Sequence, residues 1–88
     1  MKIEFRESFL KDLQVVKNVR LRAKVREAIE NVEEAETPQE IQNFKKLKGS
    51  RFYYRIRIGQ YRVGLKMEAD TVIFIRFLSR KEIYRFFP

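Results

Sequence analysis

The chain has 88 residues, a net charge of +8, and neither cysteine nor histidine. This length suits a single modest core, so we predict one domain over residues 1–88. The missing residue types exclude disulfides, thiolate chemistry and the commonest metal ligand and general base, and we expect neither a metal nor another cofactor. No apolar run is long enough to cross a bilayer and the N-terminus does not resemble a signal peptide, so we expect a cytoplasmic protein without a membrane partner.

The first part of the chain predicts a strand followed by two helices. Residues 2–5 alternate in polarity, which is typical of a short strand. Apolar residues then recur at helical spacing in two runs: Phe5, Phe9, Leu13 and Val16, then Leu21, Val25, Ile29 and Val32. The joint at Asn18 is short, so we predict an antiparallel helical hairpin whose apolar stripes face the core. The sequence TPQE at residues 37–40 predicts a further short helical turn.

The excess positive charge lies in residues 41–67, which contain eight basic side chains and no acidic one. The segments on either side are nearly balanced in charge. The eight basic residues are Lys45, Lys46, Lys48, Arg51, Arg55, Arg57, Arg62 and Lys66. Such a concentration predicts a polyanionic partner, nucleic acid before membrane, and the alternative is a basic face that only aids solubility.

The sequence YYRIRIGQYRVGLK, within this basic segment, predicts a β-hairpin. Its two-residue loop, with Gly59 first, sets a register in which Arg57 lies opposite Arg62 and Arg55 lies opposite Gly64. Alternation places these four residues on one face of the sheet and the apolar residues on the other. Like charges directly opposite each other destabilise a sheet by about 0.2 to 1 kcal/mol, so we interpret the arrangement as functional.

The last part of the chain predicts a buried strand and a final helical turn. Residues 72–78 are apolar on both faces, which indicates a strand inside the sheet. Ser79 is a suitable cap for the helical turn that follows. The predicted fold is α+β with the order β-α-α-β-β-β, in which a helical hairpin packs on a mostly antiparallel four-stranded sheet.

Three segments resemble the signature of RelE/ParE-type toxins of bacterial type II toxin–antitoxin systems: LKG at residues 47–49, YRIRIGQYRV at residues 54–63 and SRKEIY at residues 79–84. The resemblance extends over nearly the whole chain, since length and element order match as well. It implies a RelE-like fold of the microbial ribonuclease type. It also implies one of two activities, because RelE-like members cleave mRNA in the ribosomal A site whereas ParE-like members act on DNA gyrase.

The RelE branch is favoured because the positions of its working residues keep a basic or phenolic group here. The resemblance places these catalytic positions at Arg55, Arg57, Arg62, Arg80 and Tyr84. General contacts to RNA are expected from Lys45, Lys46, Lys48, Arg51, Lys66 and Lys81. The expected protein is a metal-independent, ribosome-dependent endoribonuclease that inhibits translation. Its expected partners are the ribosome, mRNA and a cognate acidic antitoxin in a hetero-oligomer, and gyrase inhibition is the alternative activity.

RNA cleavage without a metal needs donors that stabilise the charge developing on phosphorus, and the hairpin arginines can supply them. We expect a phosphate between Arg57 and Arg62, with Gly64 leaving room for the RNA backbone. Arg80 would be a phosphate clamp or a proton donor. Tyr84 would stack on a base, share in proton transfer or simply pack.

The resemblance does not supply an obvious general base. Arginine is a poor base, and Ser79 and Lys45 stand where several relatives carry a histidine or a carboxylate. Glu82 is either the base or a plain salt-bridge partner. We therefore expect the ribosome to orient the reaction and the isolated protein to be a weak nuclease.

Overall fold

A five-stranded sheet is the centre of the computed structural model, which describes all residues from Met1 to Pro88. The elements along the chain are β1 (Lys2–Phe5), α1 (Glu7–Gln14), α2 (Val19–Glu34), a short 3₁₀ helix (Pro38–Glu40), β2 (Phe44–Lys46), β3 (Tyr53–Ile58), β4 (Tyr61–Glu68), β5 (Thr71–Ser79) and α3 (Arg80–Phe86). The order across the sheet is β1-β5-β4-β3-β2. β1 runs parallel to β5 and the other pairs are antiparallel, so the predicted α+β class and mostly antiparallel sheet are confirmed.

The sheet has five strands rather than the four predicted, because Phe44–Lys46 forms β2 at its edge. Three residues are too few for alternation to distinguish a strand from a loop. The strand forms because of distant partners: Lys45 pairs with Arg55, and the ring of Phe44 stacks on Tyr54 with centroids 4.5 Å apart. No local pattern predicts such contacts.

α1 and α2 form the predicted helical hairpin, and side chains close the joint between them. The Asn18 side chain caps α2 by accepting a hydrogen bond from the Leu21 N–H at 3.1 Å. Arg22 Nη1 donates to the carbonyls of Leu13 and Val16, at 2.7 and 3.0 Å, where α1 ends. Backbone groups that the helix ends leave unpaired are thereby satisfied.

α1 also covers the part of β5 that β1 does not pair with. The Ser8 hydroxyl donates to the carbonyl of Ile75. Asp12 accepts from the Phe77 N–H at 2.9 Å and from Arg76 Nε at 2.7 Å. The hydrogen bond to Asp12 raises the pKa of Arg76. As a result, the helix takes the place of a further strand and β5 lies inside the fold, as its apolar sequence predicted.

The main core lies between the sheet and the two long helices. Its fully buried side chains include Phe9, Val25, Val32, Val63, Leu65, Val72 and Phe74. Phe9 of α1 makes edge-to-face contacts with Phe74 and Phe77, with ring centroids 5.4 and 6.5 Å apart. The remaining stripe residues of the helices pack against this cluster: Leu13, Val16, Leu21 and Ile29. The predicted apolar stripes are therefore confirmed as core except at Phe5, which lies in β1 and is 40% exposed.

Two kinds of feature are absent from the structure. No helix combines the length and the apolar character needed to cross a membrane. No group of three or more carboxylates, cysteines or histidines is placed to hold a metal ion.

Candidate functional site

The hairpin of β3 and β4 carries three arginines on the sheet face that α1 and α2 leave uncovered. Arg57 pairs with Arg62 and Arg55 pairs with Gly64, so the predicted register is confirmed. Gly59 has a φ of +57°, a conformation that favours glycine at the first position of this two-residue loop. We call the surface formed by Arg55, Arg57 and Arg62 the arginine face.

Arg62 is the buried member of the arginine face, with only 7% of its surface exposed. Its Nη1 donates to the carbonyls of Gly59 and Tyr61, both at 2.9 Å. Its Nε is buried and has no hydrogen-bond partner. The guanidinium is therefore fixed in place by the turn but not fully satisfied by it.

Burial and neighbouring charges both affect the pKa of Arg62. Burial is the largest cause and lowers this pKa. The positive charges of Arg55, Arg57 and Arg80 lower it as well. Tyr84 raises the pKa of Arg62. The structure therefore brings all five predicted catalytic positions into one neighbourhood.

Helix α3 places Arg80 and Tyr84 beside the arginine face. The Ser79 side chain caps the helix by accepting from the Glu82 N–H at 3.4 Å, as predicted. The Arg80 N–H donates to the carbonyl of Gln60 at 2.8 Å, which attaches the start of α3 to the β3–β4 turn. Tyr84 follows Arg80 by one helical turn and therefore lies on the same side of α3, where it is 63% exposed.

A cavity of about 570 Å³ lies between α3 and the β3–β4 turn, and we call it the α3 cavity. Its lining residues are Gln60, Ser79, Arg80, Lys81 and Tyr84. No carboxylate is among them, and Tyr84 is the single aromatic. The α3 cavity is thus an open, basic site with one aromatic ring.

Glu82 does not line the α3 cavity. Its carboxylate accepts a hydrogen bond from the Ser79 hydroxyl at 3.0 Å and borders a different cavity, together with Asp12 and Leu78. It makes no salt bridge, so that predicted role is wrong. The carboxylate belongs instead to the cap of α3, on the side that borders this other cavity.

Comparison with known proteins identifies the family of the chain. Residues 3–84 match the family model described as ParE toxin of type II toxin-antitoxin system, parDE. The chain is also 40% identical over 89 residues to toxin RelE3 of Methanocaldococcus jannaschii, with 100% of both proteins covered. The chain belongs to the RelE/ParE family of type II toxins.

Solved structures share the fold of the toxin. A chain in the crystal structure of the RelB–RelE antitoxin–toxin complex from Methanococcus jannaschii has a TM-score of 0.81 and 39% identity, over 97% of this chain and 99% of that chain. A chain in the intact E. coli RelBE toxin–antitoxin complex has a TM-score of 0.70 and 20% identity, over 89% and 94% of the two chains. The second similarity shows that proteins of low sequence identity share this fold.

Gly64 of the toxin does not leave room for RNA, contrary to the prediction. A Cβ atom at this position would lie 2.8 Å from the ring of Phe87, which covers the glycine. Phe87 is itself 7% exposed and meets Tyr53 edge-on, with ring centroids 5.5 Å apart. Ile83 of α3 is buried as well, and neither residue belongs to the main core cluster. The glycine is therefore needed for the C-terminal segment to pack.

Three of the lysines predicted to contact RNA lie in different settings. Lys45 pairs with Arg55 and extends the arginine face toward the sheet edge. Lys81 lines the α3 cavity. Lys66 Nζ lies 2.8 Å from Glu68 Oε1, and this hydrogen bond raises the pKa of Lys66. Its charge is thus already partnered within the toxin.

The other predicted RNA contacts lie away from the turn. Lys46 pairs with Tyr54 and so shares the face of the sheet that the helices cover. Lys48 and Arg51 are exposed in the loop between β2 and β3. Of the six predicted contacts, the structure therefore brings Lys45 and Lys81 closest to the catalytic positions.

Sequence reasoning missed Gln60 and Phe87, which contribute to this region. Gln60 reaches α3 through a bond to a residue twenty positions later, and no local pattern indicates such a bond. Gly64 is the one sign of Phe87 in the sequence, since a glycine within a strand often marks the close approach of another group. From the sequence we expected RNA to approach Gly64, whereas Phe87 occupies that space in the structure.

Proposed function

We propose that this single domain over residues 1–88 is a ribosome-dependent endoribonuclease, which cleaves mRNA in the A site and so inhibits translation in the cytoplasm. The observation that supports it most is the gathering of four side chains around the buried Arg62: Arg55, Arg57, Arg80 and Tyr84. No carboxylate is among the groups that act on Arg62. A polyanion such as RNA is the ligand that balances such a site.

Cleavage without a metal requires three events. The 2′-OH attacks the adjacent phosphorus, the extra negative charge on the phosphoryl oxygens is stabilised, and the leaving 5′ oxygen takes up a proton. Arg55 and Arg57 provide charged donors for the second event, which is usually the largest contribution. Arg80 holds the phosphate or donates the proton, and Tyr84 stacks on a base or shares in proton transfer.

Arg62 is suited to the same task because its position is set before RNA binds. Two carbonyls of the turn hold Nη1, so little side-chain freedom is lost on binding. A buried N–H without a partner is costly in the free protein. Nε lies below the surface, so Arg62 would contact a phosphate oxygen of the bound RNA through the part of its guanidinium that remains exposed.

The site offers no conventional general base. Neither a carboxylate nor an imidazole lines the α3 cavity. Attack by the 2′-OH therefore depends on the ribosome, which holds the mRNA in a reactive geometry. The isolated toxin should be a weak nuclease.

Mapping of mRNA 3′ ends on translating ribosomes tests this function. The wild-type toxin should produce cuts in the A-site codon only when ribosomes are present. Arg62→Ala should reduce cutting more than Lys45→Ala, because Arg62 is fixed on rigid strands whereas Lys45 is exposed and screened by salt. Equal losses in the two variants would mean that only bulk charge matters.

A cognate acidic antitoxin is the proposed partner, in a hetero-oligomer. The similar chains from M. jannaschii and E. coli were crystallised in complexes with an antitoxin. The basic segment at residues 41–67 is complementary to an acidic chain and would steer its binding. Co-expression with the product of a neighbouring gene should yield a stable complex. A toxin that is expressed alone without slowing growth, and that binds no acidic protein, would contradict this.

Inhibition of DNA gyrase is the second candidate function. The matching family model carries the ParE name, and the α3 cavity lacks a base. A supercoiling assay with purified gyrase separates the two candidates. Inhibition of supercoiling without any cut in mRNA would select the gyrase function.

A further inference from the structure

The charges of helix α2 change sign at its midpoint. The first half carries four basic residues and the second half four acidic ones, so the helix has no net charge in a chain whose net charge is +8. The basic residues are Arg20, Arg22, Lys24 and Arg26, and the acidic residues are Glu27, Glu30, Glu33 and Glu34. The helix macrodipole favours the opposite order, with acidic residues at the start and basic residues at the end. The stability of the single chain therefore does not explain this order of charges.

None of these eight charges is paired within the chain. The salt bridges of the structure join other residues, and Arg26 and Glu30 form none although their spacing along the helix would allow one. Arg22 donates to backbone carbonyls where α1 ends rather than to a carboxylate. All eight residues are exposed. Both halves of α2 can therefore meet opposite charges on another molecule.

An apolar groove runs beside these charges, with a volume of about 520 Å³, and we call it the α2 groove. Apolar side chains such as Val19, Ala23 and Ile29 line it, next to the charged groups of Arg26 and Glu30. Val19 is 80% exposed, so the fold leaves this apolar side chain in water. Every lining residue belongs to α1 or α2. The groove therefore lies on the helix layer, and a partner bound there leaves the arginine face open.

We infer that the α2 groove is the interface of a symmetric dimer, in which the α2 helices of two copies of this chain pack antiparallel. A two-fold axis between Arg26 and Glu27, where the charge changes sign, places the basic half of each copy along the acidic half of the other. The same contact covers the apolar side chains of Val19 and Ala23. The order of charges that is unfavourable within one helix is thus favourable in an antiparallel pair.

A second copy fits the α2 groove better than a partner of one charge does. An acidic chain could bind Arg22 and Arg26, but Glu27 and Glu30 would repel it. Nucleic acid would meet the same repulsion. A partner that complements the whole helix needs both charges in the opposite order, and an antiparallel α2 has that order. A single helix pair is a small interface compared with that of an obligate dimer, so the association should be reversible.

Sedimentation equilibrium of the full chain tests the dimer by charge reversal. The wild type should approach twice its monomer mass as its concentration rises. Arg26→Glu and Glu30→Arg should each weaken self-association on the order of a hundredfold, because the two-fold axis brings like charges together twice. Lys24→Glu is the matched control, since it makes the same change of charge on α2 but lies outside the α2 groove, in a separate cavity. It should self-associate like the wild type.

A mixture of the two charge-reversed variants gives the sharpest result. The acidic pair of positions in Arg26→Glu should face the basic pair in Glu30→Arg, so the mixture should form a heterodimer although neither variant forms a homodimer. The chain that carries both substitutions should regain the homodimer. Thermal unfolding of each variant establishes that it is folded.

Three results would overturn the dimer: a wild type that stays monomeric at every concentration, a dimer that Arg26→Glu leaves intact, or a mixture of variants that does not associate. A monomeric wild type whose acidic antitoxin binds Arg26→Glu less tightly and Glu30→Arg more tightly would assign the α2 groove to the antitoxin instead. Arg26 and Glu30 lie outside the arginine face and the α3 cavity, so none of these results decides whether the toxin cleaves mRNA.

Discussion

The two faces of the sheet have opposite characters. On the face covered by α1 and α2, fully buried side chains such as Phe9, Leu65 and Phe74 pack against one another. On the other face, Arg57 lies opposite Arg62 with no acidic residue in the surrounding segment. Burial of a large apolar side chain stabilises a fold by about 1.5–3 kcal/mol, whereas opposed like charges on a sheet cost about 0.2–1 kcal/mol.

The stability of the fold explains the face covered by the helices but not the arginine face. Arg62 is nevertheless held firmly, since it binds two carbonyls of the turn, and Phe87 packs over the neighbouring Gly64. Natural sequences depart from the rules of stability mainly at functional sites. A structure that fixes mutually repelling groups in position therefore indicates a ligand of opposite charge.

Replacement of Phe9 by alanine should have the largest effect on stability. Phe9 is fully buried and contacts several aromatic rings, so its loss should lower the free energy of unfolding by about 3–5 kcal/mol. Denaturant titration measures this value. Phe86→Ala is the matched control, because Phe86 is 53% exposed, and it should change the value by about 0.5 kcal/mol or less. Similar losses in both variants would remove the distinction between core and surface.

Gly64→Ala should disturb the arginine side of the sheet. The new Cβ would lie 2.8 Å from the Phe87 ring, and crowding of this kind lowers the free energy of unfolding by about 1–3 kcal/mol. Cleavage of mRNA should slow as well, because Phe87 directly follows the helix that carries Arg80 and Tyr84.

A double-mutant cycle assigns this effect to the aromatic ring. In a Phe87→Ala background the ring is gone, so Gly64→Ala should cost much less than it does in the wild type. Costs that simply add would show that Phe87 does not fill the space above Gly64 in solution.

Arg57→Gln should change stability in the opposite direction. It removes one of two opposed charges and should raise the free energy of unfolding by about 0.2–1 kcal/mol. The measurement belongs at low salt, where repulsion is least screened. Arg51→Gln is the control, since Arg51 lies in a loop and has no opposed partner, and it should leave stability unchanged.

The ion pair of Lys66 and Glu68 should have the smallest effect on stability. This effect is measured through its dependence on pH. The hydrogen bond from Lys66 lowers the pKa of Glu68, so its stabilising effect is present above the ordinary value of 4.5 and is lost as the pH falls through the lowered pKa. The raised pKa of Lys66 has the reverse sign, and its contribution is lost only as the pH rises beyond 10.5.

Melting temperatures across the acid range test this pair. The wild type should lose its advantage over Glu68→Gln as the pH falls below about 4.5. Because the pair is at the protein surface, the difference should also shrink at high salt. Parallel pH profiles for the two proteins would mean that the ion pair does not form in solution.

The helix-covered face could be predicted from the sequence because its determinants are local. The spacing of apolar residues such as Val25 and Val32 sets the buried stripe of a helix, and a two-residue loop with Gly59 first sets the register of the hairpin. Charge and alternation likewise indicated the arginine face.

The arrangement around that face could not be predicted in the same way. Alternation gives the direction of Arg62 but not its burial, which depends on what packs around it. The bond between Gln60 and Arg80 and the contact between Gly64 and Phe87 both join residues that are far apart in the chain. Neither leaves a periodic signal, so only the folded structure reveals them.

The most direct test measures how fast the Arg57→Gln variant cleaves mRNA on translating ribosomes. It shows whether the opposed charges take part in RNA cleavage. This variant should unfold less readily than the wild type and yet cut the A-site codon about a hundredfold more slowly, because it lacks one charged donor at the phosphate. A variant that is less stable than the wild type but cuts at the full rate would show that Arg57 is structural, and would contradict the assignment of the arginine face to RNA.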